Sequence, residues 1–309
     1  MSEIMDLLFT TDFAYSVIRV TTPILFAALG AVIANTAGVA NIALEGLMLI
    51  AALAGVLISA FTGSAWIGLM GAIFASVFFA GILAFFTLYY KTNVILGGIA
   101  MNLFASGGTV FMLYIFANDK GTSVALPSKV LPSIDIPVIE NIPILGDILS
   151  GHNILTYVAM AMIVVIFLMF KRTAFGYKIK AVGENPNAAD SVGINVIKTK
   201  AIALLLSGVL AGLGGAFMSM GYVSWFSRDM VAGRGWIAIA AEAMGQSSTL
   251  GTALTSLLFG TADAMSNALG TIGIPSELLR TLPYVTTLIG LLIYAISEDQ
   301  KKKKRAKGV

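Results

Sequence analysis

Apolar stretches about twenty residues long recur throughout this chain. They run near 13–34, 42–60, 66–90, 93–117, 154–170, 199–226, 251–269 and 281–296. As a helix, each is long enough to cross the hydrocarbon of a bilayer. Hydrocarbon offers no water to the backbone, so every N–H and C=O must be paired within the protein, and the helix is the form such runs take. Composition agrees, with 58% of 309 residues hydrophobic and 11% charged, where a soluble domain carries about 25% charged residues. The mean hydropathy is +0.91. Because the runs fill the whole length, the expected fold is an all-α, polytopic membrane protein of 8–10 transmembrane helices. It forms one transmembrane domain over 1–309. A further apolar piece, Gly235–Ser247, is too short to span and reads as re-entrant or as half of a broken helix.

The chain has no cysteine and one histidine, His152. This removes disulfide frameworks, thiolate metal sites and nucleophile–histidine catalysis. His152, in GHN before an apolar run, reads as a loop or interface residue. The N-terminal MSEIMDLLFTTDF has three acids and no Lys or Arg, unlike a secretory signal. Basic residues gather at Lys171, Arg172, Lys178, Lys180, Lys198 and Lys200, and again at 301–307. Neither cluster is interleaved with aromatics, so nucleic acid is not expected as a partner. Basic clusters beside spans mark the cytoplasmic face. Segment 171–198 and the tail 297–309 are therefore expected inside, and loop 118–153 outside. Counting back puts the N-terminus outside unless 13–60 holds an extra crossing. Loop 118–153 contains Pro127, Pro132, Pro137 and Pro143, which oppose regular helix. It reads as a connector or as a docking surface for an external partner.

Ionisable residues are scarce inside the apolar runs. They are Arg19, Glu45, Glu242 and Asp263. A charge at bilayer depth is costly, so such residues face a pathway or a partner. Glu45 lies in NTAGVANIALEGLM and Glu242 in GRGWIAIAAEAMGQ, two glycine-interrupted segments at corresponding places in the two halves, the pattern of repeat-built transporters. Glu45 is either a substrate-facing acceptor or a helix–helix partner, for example of Arg19. Asp263 faces the path or bonds Ser266 or Asn267. Asn41 and Asn102 offer hydrogen bonds to a polar substrate or between helices. Trp225, Phe226 and Trp236 fit an aromatic belt or a stacking surface. The path candidates are thus Asn41, Glu45, Asn102, Trp225, Trp236, Glu242, Asp263 and Asn267. GVLAG, Gly208–Gly212, is a small-residue packing face. No GxxxxGK[ST] occurs, so ATP, if used, binds another chain.

GYKIKAVGENPNAADSVGIN, residues 176–195, is polar amid apolar segments. Asn185 is placed as an N-cap and Pro186 as the first helical residue. A helix Pro186–Val192 follows, closed by Gly193. Ala188, Ala189 and Val192 are small and share a face that suits a groove. It reads as a docking element or as an ordinary loop with one helical turn.

This stretch resembles the coupling loop of ABC-importer permeases of the branched-chain amino acid and monosaccharide class. NIALEGLMLIAALAG, GRGWIAIAAEAMG, LLFGTADAMSNALG and LPYVTTLIGLLIY extend the resemblance over nearly the whole chain. The nucleoside branch is the most similar, and this chain resembles its shorter permease. The resemblance implies a prokaryotic plasma-membrane permease paired with a second, homologous one. A cytoplasmic P-loop ATPase would carry ATP and Mg²⁺, with no cofactor in this chain, and an extracellular lipoprotein of the basic-membrane-protein type would deliver substrate. It also implies that Gly183, Glu184, Asn185, Pro186, Asn187, Ala188, Ala189, Asp190, Val192 and Gly193 contact the ATPase. A nucleoside is neutral, flat and hydroxyl-rich. A path for it needs aromatic faces and a few acceptors, which Phe, Asn and a single Glu fit better than an Arg clamp. A sugar or branched-chain amino acid carried by the same machinery is the first alternative. An ion-coupled transporter using Glu45, Glu242 and Asp263 is the second.

Overall fold

A computed structural model describes residues 10–137 and 142–270, together with the helical positions Val285, Gly290 and Leu292. The apolar runs become α1 (Thr11–Thr36), α2 (Leu44–Thr62), α3 (Ala65–Leu88) and α4 (Val94–Ala117). Strand β1 (Ser133–Ile134), helix α5 (Leu145–Leu149) and strand β2 (His152–Asn153) follow. Then come α6 (Ile154–Arg172), α7 (Ala174–Glu184), α8 (Pro186–Ser191), α9 (Val196–Phe217), α10 (Arg234–Met244) and α11 (Thr249–Gly270). Six helices among the described residues, α1–α4, α6 and α9 with its extension to Tyr222, are long and apolar enough to span a membrane. The protein is a multi-pass membrane protein. The expected span 281–296 lies outside the described residues apart from three positions. Helix α11 has span length, but its Thr, Ser and Asp263 side chains make it less apolar.

Capping residues set the starts. Thr10, Ser64, Asn93, Asn153, Thr173, Asn185 and Asn195 each accept a hydrogen bond from a backbone N–H of the first turn. Pro23 inside α1 removes one ladder donor, and the Thr21 and Thr22 hydroxyls donate to the carbonyls of Val17 and Ile18 in the preceding turn.

Helices α1 and α9 form the centre. α9 packs on α1, α2 and α3, and α1 also meets α6, α10 and α11. In lipid, close approach replaces the hydrophobic drive between helices, and small residues permit it. GVLAG behaves as that rule requires. A Cβ on Gly208 would stand 2.7 Å from Ala80 Cβ, and one on Gly212 3.0 Å from Ile73 Cα. Ser76 Oγ donates to the Gly208 carbonyl at 2.7 Å, tying α3 to α9.

The two ends of the bundle differ. At one, the loop end, residues 118–137 and 142–153 fold over the bundle. Ser123 and Phe226 exchange hydrogen bonds, Leu131 N–H donates to the Met220 carbonyl, and β1 pairs antiparallel with β2. His152, buried there, stacks on Tyr15 with ring centroids 3.9 Å apart, and its Nε2 meets the Ile148 carbonyl at 2.9 Å. Tyr15 OH donates to the Gly151 carbonyl, so the start of α1 lies at this end. At the other, the basic end, α7 and α8 meet the end of α1 and the start of α9.

Two outcomes follow. Gly208→Leu should cost about 1–3 kcal/mol through overpacking and lower the melting temperature of the purified protein. Gly107→Leu, where a Cβ meets nothing within 4 Å, should leave it unchanged. Burial holds the His152 pKa below its ordinary 6.5, outweighing the Ile148 hydrogen bond, and nearby Arg19 lowers it further. The unfolded chain then takes up the proton first, so stability is lost as pH falls below about 6.5. Melting curves from pH 7.5 to 5 should show this loss in the parent and a smaller one in His152→Gln.

Candidate functional site

Residues 37–43 interrupt α1 and α2, and side chains replace the missing helical hydrogen bonds. Asn41, 3% exposed, accepts from Ala43 N–H at 3.1 Å and donates to Ser207 Oγ at 2.9 Å. Asn102 Oδ1 accepts from Gly46 N–H at 2.8 Å while its Nδ2 donates to the Ile42 carbonyl at 2.9 Å. Lys200 Nζ donates to the Gly38 carbonyl at 3.2 Å. Both asparagines therefore tie the break to neighbouring helices.

Helix α10 has 11 residues, about 16 Å at 1.5 Å per residue, and lies against this break. Its first turn is capped by Glu45, whose carboxylate oxygens accept from Gly233 N–H at 2.8 Å and Gly235 N–H at 2.7 Å. Gly235 leaves no room for a Cβ against the Glu45 backbone, and Gly233 takes φ +84°. Near the far end of α10, Glu242, 4% exposed, accepts from Asn35 Nδ2 at 2.8 Å and from Ser247 Oγ at 2.5 Å. The two glycine-interrupted segments thus meet, and α10 is held near both ends by residues flanking the break. Glu45 is not paired with Arg19. It sits where α2 restarts after the break, while Arg19 lies in the third turn of α1 toward the loop end and stacks on Tyr222. Asp263 meets a cation that its local sequence does not indicate. Its partner is Arg234 at 2.8 Å, because α10 and α11 run side by side. The three carboxylates are engaged separately, and no group of three or more His, Asp or Glu able to hold a metal ion occurs among the described residues.

Two partly open cavities flank α11. One, of about 590 Å³, is lined by Arg228, Asp229, Arg234, Asp263, Ser266 and Asn267, with neighbours from the 227–232 loop. Its cations and acids are paired, Arg228 with Asp229 at 3.5 Å and Arg234 with Asp263. Ser106 Oγ also donates to Asp229 at 3.1 Å. The other, of about 360 Å³, includes Asp12, Phe13, Arg19, Tyr222 and again Asn267. A π-helical turn, Met218–Tyr222, ends α9 and brings Tyr222 to Arg19. Of the residues the sequence singled out, Asp263 and Asn267 line the larger cavity and Arg19 and Asn267 the smaller. The unusual charge in an apolar run was the signal for Arg19. Tyr222 was not singled out. Trp225 and Trp236 are exposed and are not among the residues lining either cavity.

At the basic end, Asn185 caps α8 by accepting from Ala188 N–H at 3.0 Å. Gly193, φ +83°, closes it. Its N–H donates to the Asp190 carbonyl at 2.9 Å, and Ile194 N–H to that of Ala189 at 3.0 Å, the paired bonds of a left-handed helix stop. Two expectations change here. The face 188, 189, 192 divides, with Ala189 buried against the chain and Ala188 and Val192 exposed, Val192 by 75%. And residues 174–184 form a helix, α7, rather than loop, because Phe175, Ile179 and Val182 recur at helical spacing and bury Ile179 and Val182. Glu184, Asn187 and Asp190 are exposed. Gly183 packs against the backbone of Thr36 and Gly38 with no space for a Cβ.

A multi-span bundle with a broken helix, a capped polar helix at its basic end and paired charges beside α11 has the form of a transport permease. The chain belongs to the family described as branched-chain amino acid transport system / permease component, which it matches over residues 13–297. It is 31% identical to the nucleoside ABC transporter permease protein NupC of Lactococcus lactis subsp. cremoris (strain MG1363), covering 89% of each chain. It is 32% identical to the guanosine ABC transporter permease protein NupQ of Bacillus subtilis (strain 168), covering 91% of each. The structure of PsaBC from Streptococcus pneumoniae in complex with Fab shares the fold, with a TM-score of 0.53 and 16% identity over 94% of each chain.

Removing the Glu242 carboxylate deletes its hydrogen bonds from Asn35 and Ser247, a loss of about 1–3 kcal/mol. Glu242→Ala and Asn35→Ala should each lower thermal stability, and the double variant should lose less than the sum, since the two share one hydrogen bond. Melting of the three variants in detergent measures the coupling, and strict additivity would sink it.

Proposed function

We propose that this chain is a transmembrane subunit of an ATP-driven importer and that its cargo is a nucleoside. The observation carrying this reading is the full-length similarity to two permeases, one named for nucleosides and one for guanosine, in a chain with a capped polar helix at its basic end. In this reading the basic end, with α7, α8 and the tail 297–309, is cytoplasmic, and the loop end is outside. The segment 183–193 docks on a P-loop ATPase that binds ATP and Mg²⁺. A six-residue helix is marginal in isolation, so its caps and the seat of Gly183 on α1 are what present it, with Val192 outermost. A lipoprotein delivers substrate to the loop end.

The substrate path runs beside α11. Its charged groups are paired and sum to no net charge, which suits a neutral, hydroxyl-rich cargo. Asp263 and Asn267 line it. Glu45 and Glu242 hold the half-helix that borders it, and Asn41 and Asn102 brace the break it lies against. Both cavities are partly open, and a second permease of the same family closes the path in this arrangement.

The test is reconstitution in liposomes with a cognate ATPase, second permease and lipoprotein from the same organism. ATP-dependent uptake of guanosine, without uptake of leucine or glucose, is expected. Uptake of leucine alone, or uptake driven by an ion gradient without ATP, would overturn the reading. Gly193→Pro places a fixed φ near −65° where +83° is needed. It should reduce uptake about tenfold or more while ATP hydrolysis and membrane content persist. Normal uptake in that variant would remove the coupling role.

A further inference from the structure

Arg19 is a cation without an acceptor. It lies inside the first apolar span, its guanidinium carbon sits 4.9 Å from the Tyr222 ring centroid, and its Nε is buried with no hydrogen-bond partner. No acid stands within ion-pair distance of it among the described residues. An arginine carries five donors in a rigid planar fork and never deprotonates. Burying the unpaired Nε–H in a span is costly, and the two terminal nitrogens of the fork, with no acid within reach among the described residues, are free to meet an acceptor in the cavity. The side chain stands in the wall of the 360 Å³ cavity, a size within the range of small-ligand pockets. Asp12 lines the same cavity and balances the charge, which disfavours an anion. A ligand of no net charge with two adjacent acceptors fits this pair, and of the cargoes considered a nucleoside is the one the relatives' names favour.

We propose that this cavity is a subsite for the 6-oxopurine ring, an inference that rests on the nucleoside reading above. Arg19 donates in bidentate fashion to O6 and N7, the pairing by which arginine selects guanine. Phe13 presents a ring face to the base. Asn267, which lines this cavity and the larger one, stands where the ribose passes between them. Adenosine has the same size and sugar, but its N6 amine is a donor and confronts the donors of Arg19. The subsite therefore discriminates by hydrogen-bond polarity rather than by shape.

The test uses the purified complex of both permeases and the ATPase without the lipoprotein, so that this chain's own preference is read. Binding of guanosine, inosine, adenosine and 7-deazaguanosine is measured by calorimetry. Guanosine and inosine should bind about tenfold or more tightly than adenosine, and 7-deazaguanosine, which lacks N7, should lose about as much. These ligand comparisons need no variant. Arg19→Lys keeps the charge and loses the fork, and should collapse the guanosine preference. Equal binding of guanosine, adenosine and 7-deazaguanosine overturns the subsite, as does a full preference retained in Arg19→Lys. The complete transporter separates the two failures. If it takes up neither nucleoside, the nucleoside reading falls. If it takes up both while the complex binds neither or does not distinguish them, the subsite alone falls.

Discussion

A peptide group buried away from water needs a partner within the protein, and the break between α1 and α2 is where side chains of this chain supply such partners. Residues 37–43 leave the helix, so their N–H and C=O groups need other partners. Asn41, Asn102 and Lys200 supply several of them from side chains, and each draws in a neighbouring element: Asn41 reaches Ser207 of α9, Asn102 anchors α4, and Lys200 ties the start of α9 to Gly38. The polar residues of the membrane interior are committed to this task before any cargo is considered. Their interhelical bonds are individually modest, about 0.6–2 kcal/mol, but the cost of leaving the backbone unpaired makes the set indispensable.

The same break positions α10. Glu45 restarts α2 and caps α10 in one arrangement, where its negative charge meets the positive end of the helix. Asn35 closes α1 and holds Glu242 toward the other end. One residue beyond Asn35, Thr36 receives Gly183 of α7 against its backbone. The polar element at the basic end and the half-helix beside the cavities are therefore separated by one residue of α1. Interiors packed this closely transmit strain, which supports the role in transmission proposed for α7 and α8.

The bundle itself was legible in the sequence because hydrophobic length is a local property. The described spans begin and end within a few residues of the apolar runs, and the short run at 235–247 is the short helix α10. The cap at Asn185 and the stop at Gly193 were legible for the same reason, since both act within four residues. Helix α7 was not recognised, because its charged residues obscured an apolar spacing at Phe175, Ile179 and Val182 that only a buried face makes plain. The backbone groups opposite Glu45 and the cation opposite Asp263 were not legible, because nothing local says which distant group will lie there.

By itself the sequence determined that this is a polytopic helical membrane protein, where its long apolar helices lie, and that a capped polar helix sits at one basic end. These follow from hydrophobic length, charge placement and capping, each acting over one helix or less. The tertiary structure alone decided that Glu45 caps α10, that Glu242 meets Asn35, that Asp263 pairs with Arg234, and that Arg19 faces a cavity over Tyr222. Those pairings join residues up to 207 positions apart. In hydrocarbon a polar side chain takes the nearest available partner, and only the packed arrangement of the helices sets which one is near.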